Sequence, residues 1–105
     1  MQTLWKKDQS LHPRFARINQ CLHEDWFLLP HELKLQRAHA KTLEVAGILT
    51  GGERAAIARA LEQIERRYGG AACPESDAED LHTWVEGKLT EAAGEAGSKI
   101  HTARS

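Results

Sequence analysis

Residues 50–70 read TGGERAAIARALEQIERRYGG, and this stretch decides the fold. Thr50 followed three residues later by Glu53 is a capping box, a hydroxyl and a carboxylate placed to satisfy the exposed N–H groups of a helix start. Ile57, Leu61, Ile64 and Tyr68 then recur at steps of four and three, which draws one apolar stripe along a helix. Gly69-Gly70 stops it. Arg54, Arg59, Glu62, Glu65, Arg66 and Arg67 fall on the other faces and read as a solvated surface, because charge is rarely buried. The spacing predicts a helix over 52–68.

Working toward the N-terminus, a second helix is expected over 25–47. Leu29, Leu33, Gln36, Ala40, Leu43 and Gly47 share one face, and Gly47 before Ile48-Leu49 has the form of a helix end with an apolar contact. Pro30 either opens this helix or kinks it. Residues 1–24 read as an arm, anchored by Leu4-Trp5, with a short helix after Pro13 carried by Phe15, Ile18 and Leu22. Toward the C-terminus, Gly69 to Glu75 is a loop of small residues. Ser76-Asp-Ala-Glu79 has the form of another capping box, leading into Leu81, Trp84, Val85, Leu89 and Ala92 and a third helix over 77–93. Gly94, Gly97 and Ser98 then break the pattern, so 94–105 is expected to be a loop.

Composition agrees with an all-α class of three main helices. Of the apolar residues 15 are Ala and 12 Leu, against five Ile and two Val, a balance that favours helix over strand. Lys plus Arg is 14 and Asp plus Glu 15, so the 105-residue chain carries a net charge of −1. That gives no general grip on nucleic acid or acidic lipid. No apolar run reaches the roughly 18–20 residues of a membrane span, and no signal-peptide core is present. Cys21 and Cys73 form no disulfide framework or zinc pattern, so a reducing cytoplasm is the expected compartment.

The chemistry-bearing residues are few. His23, His31 and His39 are spaced by eight, not by the four of a helical zinc pair, so no metal site is expected. Glu79, Asp80 and His82 cluster at a helix start, where carboxylates complement the helix dipole. Cys21 could be a nucleophile only beside a base, and a small half-buried Cys is the plainer reading. His101-Thr-Ala-Arg-Ser105 packs an imidazole, two hydroxyls and a guanidinium into five residues, a dense set of donors for a carboxylate or phosphate. An ordinary polar terminus reads the same way. On these grounds alone the chain is a helical domain whose last five residues read as an ordinary polar terminus before they read as an anion site.

Glu79-Asp-Leu-His82, Lys88-Leu-Thr-Glu91 and Gly94-Glu-Ala-Gly-Ser-Lys-Ile-His-Thr-Ala-Arg-Ser105 resemble the argininosuccinate lyase family of the fumarase/aspartase superfamily. That family carries E-D-(I/L)-H, then R-L-x-E-L-I-G, then G-K-L-H-T-G-R-S-R-N-D-Q. Leu4-Trp5 resembles its K-L-W, Ile18-Asn-Gln-Cys-Leu22 its F-N-A-S-I, and Ala38-His-Ala-Lys41 with Gly47-Ile-Leu49 its A-H-A-x-x-L…G-I-L. The likeness runs through nearly all of the chain in order, and H-T-x-R-S is its most specific part.

The resemblance implies the N-terminal helical domain of a fumarase/aspartase-like fold. It implies a lyase that cleaves argininosuccinate to arginine and fumarate by β-elimination, without a cofactor, as a homotetramer whose active sites combine segments of three subunits. It implies substrate-binding roles for Cys21, Asp25, His82, His101, Thr102, Arg104 and Ser105, with 94–105 as a signature loop. The family's acid–base histidine and mobile-loop serine lie in segments later than these, so no catalytic residue is expected within the chain and the chain alone is expected to be inactive. Cys21 stands where the family has Ser, Ala103 where it has Gly, and Lys6-Lys-Asp-Gln9 where it has Gly-Gly-Arg-Phe. The alternative these departures keep open is a stand-alone, catalytically inactive helical interaction module derived from the lyase fold.

Overall fold

The computed structural model describes residues 22–104. Helical residues 22–25 lead into a 3-10 turn, Trp26–Leu28, and then into α1 (Leu29–Val45), α2 (Gly51–Tyr68), α3 (Leu81–Ala93) and α4 (Glu95–Arg104). Among the described residues there is no strand, so the class is all-α. The arm before residue 22, including the expected helix after Pro13 and Cys21, lies outside the described residues.

Pro30 opens α1, sitting in its first turn where a missing N–H costs nothing. The expected single helix over 25–47 is therefore divided, with a 3-10 turn before it rather than a kink within it. At its other end Gly47 takes φ +81°, a left-handed conformation that a side chain would strain. That turn lets the Ile48 N–H donate to the Leu43 carbonyl at 2.9 Å and sends Leu49 into the core. The Thr50 box then closes on both sides: Glu53 N–H donates to Thr50 Oγ1 at 3.0 Å and Thr50 N–H to Glu53 Oε1 at 2.9 Å.

The expected box at Ser76 is not the cap of α3. Ser76 Oγ instead accepts from the Ala78 N–H at 3.0 Å, a local turn, while Asp80 Oδ1 accepts from the Thr83 N–H at 2.8 Å and caps the helix. The first core residue of this helix is Leu81, and a cap belongs directly before the first buried position, not four residues earlier. The helix expected over 77–93 thus begins at Leu81.

The larger correction concerns 94–105. Of the residues expected to form a loop, Glu95–Arg104 form α4, a fourth main helix among the described residues. Gly94, at φ +59°, is a turn between helices, and the Ser98 N–H donates back to the Gly94 carbonyl at 3.1 Å. Gly97 is not a breaker. It is buried, and a Cβ there would press into the Leu89 carbonyl and come within 2.8 Å of Thr90 Cα. Only glycine permits α4 to cross α3 at that distance.

The helices pack in chain order, α1 on α2, α2 on α3 and α3 on α4. One core joins them, with Leu29, Leu33, Ala40 and Leu43 from α1 and Ile57, Leu61 and Ile64 from α2 meeting Leu81, Trp84, Val85 and Leu89 from α3 and Ile100 from α4. Each buried Leu, Ile or Val side chain among them contributes about 1.5–3 kcal/mol. Trp26, Tyr68 and Trp84 meet edge to face at centroid distances of 4.8–6.3 Å, and the Trp26 indole N–H donates to the Ala71 carbonyl at 2.8 Å. These contacts tie the entry of α1 to the entry of α3, and so fix the two segments that carry Asp25 and His82.

Candidate functional site: a carboxylate–imidazole relay

His82 projects from the first turn of α3, where the Asp80 cap and the buried Leu81 set its direction. Both of its ring nitrogens meet carboxylates. Nδ1 lies 2.7 Å from Glu32 Oε2 on α1, and Nε2 lies 2.8 Å from Glu86 Oε2 one turn along α3. Glu32 also accepts from Gln36 Nε2 at 3.0 Å, one turn along its own helix. Glu86 is 6% exposed, and its Oε1 lies 2.7 Å from Nδ1 of His101 on α4. The result is a chain of polar groups, Gln36–Glu32–His82–Glu86–His101, which crosses from α1 through α3 to α4. A carboxylate so deeply buried is costly to leave unpaired, and the two imidazoles are what offset that cost.

On one side of this relay lies a cleft of about 180 Å³, lined by Asp25, Leu28, His31, Glu32, Asp80, Leu81 and His82. On the other lies a shallow groove of Thr83, Glu86, Gly87, Thr90 and His101. Of the residues expected at a site, Asp25 and His82 thus share one cleft, and His101 joins them through Glu86. Thr102 does not. It lines a separate groove with Ile48, Glu95, Ser98, Lys99 and Ala103, because adjacent positions on α4 point about 100° apart. Arg104 is the last residue of α4, and Cys21 and Ser105 lie outside the described residues.

Beside the Thr102 groove, Lys99 Nζ donates to Glu53 Oε2 at 2.8 Å. That bond, reinforced by the Thr50 backbone, holds the Glu53 carboxyl below the usual carboxylate range and raises the Lys99 ammonium. Desolvation raises the Cys73 thiol, and the nearby Glu75 charge adds to it, which disfavours the thiolate of this half-buried residue. Among the described residues no group of three or more His, Cys, Asp or Glu is arranged to hold a metal ion. No helix among them is long and apolar enough to cross a membrane.

Sequence reasoning misses Glu32, Gln36 and Glu86. A signal exists for each: Glu32–Gln36 and His82–Glu86 are i, i+4 pairs, and Gln36 interrupts an otherwise apolar stripe. What the sequence does not carry is the crossing of α4 over α3, without which Glu86 has no second imidazole.

A bundle of this kind, with an imidazole–carboxylate relay beside a small polar cleft, belongs to the all-α class in which side chains from neighbouring helices build the site. Comparison with known proteins then narrows the relationship. The chain is 42% identical over 99 residues to the argininosuccinate lyase of Thermosynechococcus vestitus, a match covering 93% of the chain and 21% of the relative. It is 43% identical over 97 residues to that of a Synechococcus species, and 38% identical over 104 residues to that of Acidobacterium capsulatum. No protein-family model matches the chain, and no solved structure does. The chain is a homologue of the argininosuccinate lyases. It spans about 21% of the length of the curated relatives it matches and fits an N-terminal fragment of such an enzyme.

Proposed function

We propose that the chain supplies the N-terminal, substrate-binding part of a lyase that cleaves argininosuccinate to arginine and fumarate, a step of arginine biosynthesis. The observation that carries this reading is the likeness of about 40% identity over more than nine-tenths of the chain. The geometry agrees with it, since Asp25 and His82 line one cleft and His101 joins the same relay.

In a β-elimination a base removes the proton beside a carboxylate and the guanidinium nitrogen leaves. The charge that develops on the carboxylate must be met by donors already in place. His82, His101, Thr102, Arg104 and Ser105 are donors of that kind, and Cys21 and Asp25 complete the substrate-binding set in this reading. The proton-transfer groups come from parts of the enzyme other than these 105 residues, and no cofactor takes part. The whole enzyme is a homotetramer in the cytoplasm, with no nucleic-acid partner and no membrane contact. In that assembly Phe27, Leu28, Leu35 and Val45, which stand exposed on and beside α1, are covered by the rest of the enzyme.

The test is a chimera in which these residues replace the matching segment of the Thermosynechococcus vestitus lyase. Fumarate release by the chimera, together with none by the 105-residue chain alone, is the expected result. A folded tetrameric chimera that releases no fumarate contradicts the proposal. Turnover by the chain alone contradicts the assignment of proton transfer to other segments.

A further inference from the structure

We propose that Glu86 is a positioning residue whose single carboxylate orients the imidazoles of His82 and His101 together. The inference rests on the reading above that both histidines serve the substrate site.

An ionised carboxylate only accepts hydrogen bonds, so the hydrogen bond at Glu86 Oε1 needs a hydrogen on the imidazole nitrogen it meets. At His101 that nitrogen is Nδ1, 2.7 Å from Glu86 Oε1. The neutral His101 ring is then the Nδ1–H tautomer, with Nε2 as its acceptor nitrogen. At His82 the nitrogen is Nε2, 2.8 Å from Glu86 Oε2, while Nδ1 meets Glu32 Oε2 at 2.7 Å. The Glu86 carboxylate thus hydrogen-bonds the His101 ring through Oε1 and stands in ion-pair contact with the His82 ring through Oε2.

The backbone sets this register. Gly97 sits against Leu89 and Thr90 where α4 crosses α3, and His101, one turn further along α4, comes over Glu86, one turn back along α3. The charged groups around the relay are Glu32 on α1, Asp25 and His31 across the cleft, and Asp80 at the start of α3. The ion pair between α2 and α4, Glu53 with Lys99, involves none of these groups. Carboxylates that hold the second nitrogen of a functional imidazole fix its tautomer and orientation in the same way at metal sites.

The experiment is two-bond ¹H–¹⁵N spectroscopy of the imidazole rings in the ¹⁵N-labelled 105-residue chain, at a pH where His101 is neutral. The expected spectrum has His101 in the Nδ1–H form by about ten to one or more, as a charge-assisted hydrogen bond imposes. In Glu86→Gln that ratio falls below about one and the His82 ring signals move in the same variant; Glu86→Asp restores part of both. His101→Gln, an exposed substitution readable even where Glu86→Gln fails to fold, moves the His82 ring signals through the shared carboxylate. A wild-type His101 in the Nε2–H form overturns the proposal. So does a folded Glu86→Gln variant in which either ring is unmoved, or a His101→Gln variant in which His82 is unmoved. No substrate enters these measurements, so their outcome stands apart from that of the fumarate assay.

Discussion

The α1–α2 and α3–α4 hairpins join their helices by different physics. Between α1 and α2 the 46–50 link leaves room for a left-handed glycine, a buried Leu49 and a full capping box, and the seam is apolar with ion pairs at its rim. Arg37 meets Glu65 at 3.0 Å, and Arg54 meets Glu44, on that rim. Between α3 and α4 a single glycine makes the turn, a second glycine permits near contact of backbones, and a buried carboxylate holds two imidazoles. At the first seam the turn glycine, Gly47, has open space about it and is restricted only by its left-handed φ. The second allows no added atom at Gly97 and no lost charge partner at Glu86, and it is the seam that builds the site.

Substitutions that should act unequally on the two seams test this contrast. Gly97→Val drives a branched side chain into the Leu89 carbonyl, and the expected cost is more than about 4 kcal/mol, read as loss of the cooperative thermal melt. Leu61→Ala, at the centre of the apolar core, is expected to cost about 2–5 kcal/mol by urea unfolding, with the unfolding slope unchanged. The caps follow: Thr50→Ala and Asp80→Ala each lose about 1 kcal/mol, whereas Ser76→Ala stays within about 0.5 kcal/mol because Ser76 caps no helix. Gly87→Ala gains about 0.5–1 kcal/mol, since Gly87 lies within α3 with open space where a Cβ would go. A loss at Gly87 matching that at Gly97 would contradict the distinction between a glycine used for contact and one that is merely present.

The smallest effect is that of pH on the Glu53–Lys99 pair. Glu53 has a lowered pKa, so its contribution is present above the ordinary carboxylate value and is lost as pH falls through the lowered one. Lys99 has a raised pKa, so its contribution is present below the ordinary ammonium value and is lost as pH rises through the raised one. The pair's contribution is therefore flat between the two limits, and Glu53→Gln reduces the slope at both ends of a pH series of thermal melts.

Much of the first hairpin was legible in the sequence. Thr50 with Glu53, the Ile57–Leu61–Ile64 stripe and Gly47 act locally, through hydrogen bonds and dihedral angles their near neighbours determine. The second hairpin was legible only in the Leu81–Trp84–Val85–Leu89 stripe of its first helix. Ser76-x-x-Glu79 has the same form as the box at Thr50, yet Asp80 takes the cap because burial begins at Leu81, a tertiary fact. Gly94 and Gly97 carry the composition of a loop, and only the packing of α4 on α3 shows Gly97 to be a contact. Of the site, Asp25, His82 and His101 came from family likeness, while Glu32 and Glu86 needed the third dimension. Thr102, placed with them on likeness, faces another groove.

The central claim is that this fold presents His82 for substrate within a larger lyase. The direct measurement is kcat/KM for argininosuccinate in the lyase chimera, with and without His82→Asn, in preparations of equal tetramer content. The account predicts activity in the parent chimera and a loss of at least about tenfold in the variant, the scale of one positioned donor removed from a developing charge. An active chimera whose kcat/KM is unchanged by His82→Asn would contradict it.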